Sequence, residues 1–328
     1  MNDFNFEKNI EKMIKPIDVG TIHFIQSYSK LMSPKLQYKL MSKGAKKNPY
    51  MGFVVEPYSF FLCYTLKDLE WAKRLIPDDY KLIKTKIFEN DEPNYYCIFG
   101  SFNVHSSAFW GTRMEFYIIA ENTKTGLLSW LIIDYDTNTV SFDKMNGLSG
   151  GNTNTCVLTT NYDGEIVVDI RNDKKRRNLV LSGKINRGKE EKLHQRLWLE
   201  GNLSVGYGKE ISGNRAETFG MIFSHKEVER ANKILNKDIN IQENTWYDGL
   251  FDKEPKNIVC FPFAQHYLSD SPGYFSNIMN KQQLSDAVTN IDFDTIPSYS
   301  SSAIKKSFKI GQIISVLIII VLLILLAV

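Results

Sequence analysis

The stretch 95–142 alternates apolar and polar positions with a period near two, and two short polar joints break it, at 121–126 and 136–138. The Asn, Asp and Gly of those joints tolerate turn dihedrals, so the pattern predicts three or four consecutive strands joined by tight turns. Within the second strand, Met114, Phe116, Ile118 and Ala120 fall on one face, and Arg113, Glu115 and Tyr117 on the other. Successive side chains of a strand point to opposite sides, so the second face is a polar stripe on an otherwise apolar sheet. The pattern leaves open whether that stripe meets water or a pocket.

Around this stretch the period changes. A strand candidate at 58–64 precedes a helix that Thr65 caps, with Asp68 three positions on. Leu69, Ala72, Leu75 and Ile76 form its apolar face until Pro77 stops it. A second candidate, 80–88, leads into the central stretch. After a Gly- and Asn-rich loop, 155–160 turns through Asn161-Tyr162-Asp163-Gly164 into 165–171; strands follow at 179–185 and 197–207. Ser224-His225-Lys226-Glu227 is a capping box, and Val228, Ala231, Ile234 and Leu235 make one stripe of the helix it opens. Upstream, Ser33-Pro34 starts a helix in which Leu36, Leu40 and Met41 recur until Gly44. Evenly spaced strands with turn signals predict a mainly β (α+β) fold, an antiparallel, closed or nearly closed β-barrel with flanking helices.

The 19 residues 310–328 carry no charge. As a helix rising about 1.5 Å per residue they match the roughly 30 Å hydrocarbon core of a bilayer. Their polar residues are confined to Gln312 and Ser315 near the start, where a buried soluble helix would show a polar face. Lys305, Lys306 and Lys309 flank this segment, and the first residues form no apolar signal region. The expectation is a single-pass, tail-anchored membrane protein whose folded part is cytoplasmic. The chain then divides into an amphipathic basic helical segment (1–54), a barrel domain (55–268), a polar linker (269–309) and a transmembrane anchor (310–328).

Composition changes this picture little. A net charge of +3 is too mild to argue for nucleic acid, and none is expected as a partner. Lys30, Lys35, Lys39, Lys43, Lys46 and Lys47 follow one another with no acidic residue between them. They give the predicted helix at 33–44 a basic side, either a contact with the bilayer surface or a solvated face of a helix packed on the barrel. Abundant Phe and Tyr favour β structure or an aromatic-lined cavity. Cys63, Cys97, Cys156 and Cys260 are scattered in apolar runs, the pattern of buried free thiols.

A helix ends in Leu75-Ile76-Pro77 and is followed by Tyr80-Lys81-Leu82; a strand ends at Val104-His105. Gly126-Leu127-Leu128-Ser129-Trp130 enters the next strand, and a Gly/Asn loop and the Asp163-Gly164 hairpin follow. In that order, over 55–235, these features resemble the acetoacetate decarboxylase-like β-barrel superfamily, particularly members that lack the decarboxylase motif. The decarboxylases carry a Pro-Lys pair after a Gly, and its lysine forms a Schiff base with the ketone substrate. The matching stretch here, Asn146-Gly147-Leu148-Ser149-Gly150-Gly151-Asn152, has no lysine, and Lys144 lies before the Gly with a Met after it. The resemblance thus implies the fold without the Schiff-base chemistry.

The five histidines lie far apart without zinc-ligand spacing, so neither a metal nor a cofactor is expected. The glycines at 147–151 lack the Lys-Ser/Thr of a phosphate loop. Lys174-Lys175-Arg176-Arg177 reads as a solvated turn, with a phosphate or headgroup contact as the other reading. The candidate catalytic residues are His105, Arg113 and Glu115, which antiparallel pairing brings towards one another. Trp110, Tyr117, Asp134 and Asn152 are the candidate ligand contacts. Inside a barrel, Arg113 would grip a carboxylate and Glu115 orient it; in water the two would form an exposed pair of little energetic consequence. The resulting expectation is a protein that binds a hydrophobic carboxylate- or carbonyl-bearing molecule beside the membrane. As an enzyme it would act as a lyase or hydratase without a Schiff-base lysine. The alternatives are a lipid-binding or transfer module and a membrane-recruited interaction scaffold.

Overall fold

The computed structural model describes residues 3–15, 19, 22–23, 26–27, 29–46, 49–106, 110–214, 218–271, 274–296 and 301–327. Helix α1 (Asp3–Met13) precedes α2 (Pro34–Ala45), and strands β1 (Tyr50–Val55) and β2 (Ser59–Thr65) follow. Then come α3 (Leu69–Leu75), β3 (Tyr80–Leu82), β4 (Tyr96–Ser106), β5 (Trp110–Asn122) and β6 (Leu128–Thr137). The small hairpin β7 (Ser141–Asp143) and β8 (Gly147–Ser149) precedes β9 (Thr155–Thr160), β10 (Glu165–Asn172) and β11 (Arg177–Lys184). Short strands β12 (Lys189–Lys192), β13 (Val205–Tyr207) and β14 (Met221–Phe223) lead to β15 (Arg230–Ile234) and β16 (Ile239–Asn244). Strands β17 (Asn257–Phe261) and β18 (Gln265–Asp270), then α4 (Lys281–Asn290) and α5 (Ser301–Ala327), complete the order.

The pairing is almost wholly antiparallel, but the main sheet does not close into a barrel. Its path runs β12-β15-β17-β2-β4-β1-β18-β14, with β5, β6, β3 and β13 branching from it. The cause lies in β4. One edge of it pairs with β5 throughout, while the other pairs with β2 over Tyr96–Ser101 and with β1 over Val104–Ser106. Two strands sharing one edge splay the sheet apart and leave β12 and β14 as separate ends.

Both faces of the central strands are buried. Tyr117, Ile119, Trp130 and Ile132 join one core with Phe61, Trp198 and Phe261, whereas Met114, Phe116, Ile118 and Leu131 join another. The second core is closed by the four-stranded sheet β16-β11-β10-β9 and by Trp246. Period-two alternation therefore sorts side chains between two interiors, not between interior and water.

Several expectations are corrected here. The capping box at Ser224 opens no helix: His225–Val228 is a 3-10 turn, Ser224 makes no capping bond, and the chain continues as β15. The Glu227 carboxylate that would complete the box is held by His266. Only Val205–Tyr207 of the 197–207 segment is strand; Leu197, Trp198 and Leu199 lie in a helical turn and are all buried. The segments outside 55–268 are not separate from the body. Phe6 and Ile10 of α1 and Leu284 and Val288 of α4 enter the first core, and β1 lies between β4 and β18. Within the polar stretch before the C-terminal helix, 272–273 and 297–300 lie outside the described residues.

Helix α2 turns Leu36 and Leu40 outward and buries Gln37. In α5 the apolar side chains from Ile313 to Leu326 are exposed. Side chains of α5 are described at 309 and 311–326, and among the described residues no helix is long and apolar enough to cross a membrane. All four cysteines are free and buried.

Candidate functional site

A cavity of about 550 Å³ opens in the first core. Phe61, Trp130, Trp198, Phe261 and Tyr267 form much of its wall, and Tyr38 and Met41 of α2 cover it. Arg113, Glu115 and Tyr117 line it from β5. They face one way because they alternate with Met114 and Phe116, which the second core claims.

Arg113 and Glu115 are 8% and 6% exposed and form an ion pair through Nε and Oε1. The Tyr117 hydroxyl donates to the other oxygen of Glu115. Arg113 Nη1 donates to Ser141 Oγ at 2.5 Å, and the guanidinium lies over the Tyr135 ring, 4.2 Å from its centroid. Tyr135 in turn donates to Asp143 Oδ2 at 3.1 Å. Burial works against the charge on Arg113, yet Glu115, Tyr135 and Tyr207 together hold its pKa above the ordinary value. Burial, then Glu115, pushes the Tyr117 hydroxyl up, and Tyr135 rises to about 12, chiefly by burial. These phenols stay protonated and act as hydrogen-bond donors. A guanidinium has five N–H donors; the hydrogen bonds of this one to described residues use Nε and Nη1.

The other predicted residues lie elsewhere. A β-bulge between Phe116 and Tyr117 shifts the register of β6, so that Asp134 stands opposite Phe116 and Tyr135 opposite Glu115. Running the pairing back unbroken from Glu121 and Leu128 would have set Asp134 against Glu115; one extra residue turns it to the other face. There it accepts from Lys175 Nζ at 2.6 Å and pairs with Arg177, whose guanidinium lies over Trp246 and Tyr247. The basic turn is thus partly tied down under β6, not simply solvated. His105 pairs with Trp110 across β4 and β5 and stacks on it, with Nε2 2.7 Å from Glu56 Oε1. Its neighbour Val104 lines the cavity, so alternation turns His105 away. Asn152 clamps the end of β6, accepting from Thr137 N and donating to Tyr135 O, both at 2.9 Å.

Sequence reasoning missed Tyr135, Ser141, Asp143 and Tyr207. The first depends on the bulge, the next two on a three-residue strand, and Tyr207 on the short parallel pairing of β13 with β6. The β7–β8 hairpin is fixed to α2 by Gln37. Its Oε1 accepts from Leu148 N at 2.7 Å, and its Nε2 donates to Ser29 O and Met32 O, both at 3.0 Å. Gly147, at φ +72°, presents its Cα to this amide, where a Cβ would come within 2.7 Å of Oε1.

Lys144 also borders the cavity, from the exposed turn of that hairpin, with Nζ 5.0 Å from the Tyr38 ring centroid. A Schiff-base amine is kept neutral by burial or by a neighbouring cation, and an exposed turn provides no burial. Borohydride reduction in the presence of a ketone such as acetoacetate is expected to leave the protein mass unchanged. A trapped adduct lost in Lys144→Arg would refute this.

No protein-family model matches the chain, and no curated protein does either. Solved structures to which it is similar include acetoacetate decarboxylase from Legionella pneumophila, at 10% identity and a TM-score of 0.40 over 69% of this chain and 87% of that one. The enduracididine biosynthesis enzyme MppR is similar at 9% identity and a TM-score of 0.39, over 68% and 86% of the two chains. A further acetoacetate decarboxylase structure is similar at 13% identity and a TM-score of 0.36, over 69% and 88%. At such identities and TM-scores these likenesses say nothing about the chemistry of this chain.

Proposed function

We propose that the chain is a membrane-tethered receptor for a hydrophobic molecule bearing one carboxylate or carbonyl, held with that polar head at Arg113. One observation carries this reading: an apolar cavity of about 550 Å³ has a buried, hydrogen-bonded arginine in its wall. Volumes of roughly 300–1,000 Å³, mostly apolar with a few placed polar groups, suit single small-molecule ligands. Mass spectrometry of the detergent-extracted protein is expected to find a co-purifying amphiphile with one such head. An empty cavity that also fails to take up fatty acids or long-chain ketones would refute the reading.

A catalytic version rests on Glu115, which lies between the Tyr117 hydroxyl and the Arg113 guanidinium. A carboxylate so placed can accept a proton beside a bound carbonyl while the arginine stabilises developing negative charge, the arrangement a lyase or hydratase needs. Turnover lost in Glu115→Gln with binding retained would separate this version from simple reception.

The tether in this reading is α5. Its 27 residues would span about 40 Å as a helix, and its apolar side chains from Ile313 to Leu326 face outward. Exposed Leu36 and Leu40, among the lysines of α2, and Leu31 just before it add a surface suited to anionic headgroups on the outer face of the helix whose Tyr38 and Met41 line the cavity. Removing 310–328 is expected to move the folded protein from the membrane fraction to the soluble one. Recovery of the truncated chain in carbonate-washed membranes, unchanged by Lys35→Glu, Lys39→Glu and Lys43→Glu together, would argue against both contacts.

A further inference from the structure

Away from the cavity, His266 on β18 and Glu227 are brought against Glu7 of α1, their ligand atoms all within 4.8 Å of one another. Both are more than nine-tenths buried. The two oxygens of Glu227 are already engaged: Oε2 accepts from the His266 backbone N–H at 2.7 Å, and Oε1 lies 2.8 Å from His266 Nδ1. A carboxylate of this kind only accepts, so Nδ1 carries the proton and the lone pair of a neutral ring lies on Nε2. That Nε2 is buried and has no hydrogen-bond partner among the described residues. Glu11 Oε1 stands 3.6 Å from it, one helical turn beyond Glu7 on the same face of α1.

We propose that Glu7 and His266 Nε2, joined by Glu11 turning in from its exposed position, bind a divalent transition-metal ion that fastens α1 to the sheet, with Glu227 as the positioning residue that fixes the imidazole. The donor set selects the ion: an imidazole with two carboxylates suits Zn²⁺ and its neighbours, whereas Ca²⁺ and Mg²⁺ prefer oxygen alone. Around a tetrahedral zinc, donors at about 2.0–2.2 Å stand roughly 3.3–3.5 Å apart, close to the separation of Glu11 and His266. A carboxylate on the far ring nitrogen is the usual support of a metal-bound histidine. Two carboxylates four residues apart on one helix face repel, and a shared cation relieves this. The ion would tie together Phe6, Ile10 and the strand that carries Tyr267, a wall of the cavity.

The test uses the full chain in detergent and Zn²⁺ alone at neutral pH, after stripping with a chelator. One bound Zn²⁺ per chain is expected, with a higher thermal midpoint and slower hydrogen exchange across α1. Glu11→Gln, on a largely exposed side chain and so safe for folding, should weaken binding at least tenfold, and His266→Gln should abolish it. Glu227→Gln should weaken it tenfold to a hundredfold, and His23→Gln and His105→Gln should leave it unchanged. Failure to bind Zn²⁺, or binding that survives both Glu11→Gln and His266→Gln, would overturn the assignment.

Discussion

Arg113→Met is expected to abolish ligand retention and to destabilise the protein, both through one removed charge. Losing a buried charge-assisted contact and leaving its partner unpaired lowers affinity by two to three decades, about 3–4 kcal/mol. The protein loses a further 3–5 kcal/mol of folding stability, because Glu115 is then buried without its cation. Glu115→Gln added to Arg113→Met removes the stranded charge, so the double variant should recover most of the thermal midpoint while still failing to hold ligand. Small additive effects on the midpoint, with normal retention, would mean that the ion pair plays no part in binding. Calorimetric unfolding and mass spectrometry of retained ligand, run on all three variants, read both quantities.

The converse outcome is expected of Trp246→Ala. Trp246 is fully buried in the second core, against Phe99 and Phe116 and beneath the Arg177 guanidinium. Truncating such a side chain costs about 3–5 kcal/mol through lost burial and the void left behind. The void lies across the sheet from the ligand cavity, so whatever protein stays folded should retain ligand normally. Loss of retention in proportion greater than the loss of folded protein would show that the two cores do not act independently. The Arg113→Met/Glu115→Gln double variant and Trp246→Ala thus separate stability from binding in opposite directions.

What the sequence disclosed follows the range of the interactions involved. The strand at 110–122 and the common face of Arg113, Glu115 and Tyr117 depend on alternation alone, a local property, and are readable from the chain. The position of Asp134 depends on a single extra residue in β6, which no local pattern marks, and one bulge exchanged an aspartate for Tyr135 beside the ion pair. Proximity at a strand end singles out His105, while its orientation follows from the neighbouring Val104. The capping box at Ser224 has the right residues and the wrong outcome, because His266, about forty positions on, offers Glu227 a better-buried partner. Strand number and spacing point to a closed barrel; closure fails where β1 and β2 compete for one edge of β4, a contest settled only in three dimensions.

The amide of Gln37 joins parts of the molecule that a sequence would treat as unrelated. Through Leu148 it couples α2 to the hairpin whose Ser141 receives the Arg113 guanidinium. If the cavity holds a guest as proposed, moving α2 off it would break the Gln37–Leu148 bond, giving escape an activation barrier set partly by a residue that does not line the cavity. Affinity and residence time would then be separable: the apolar walls would govern how tightly a guest is held at equilibrium, and the Gln37 latch how often it could leave.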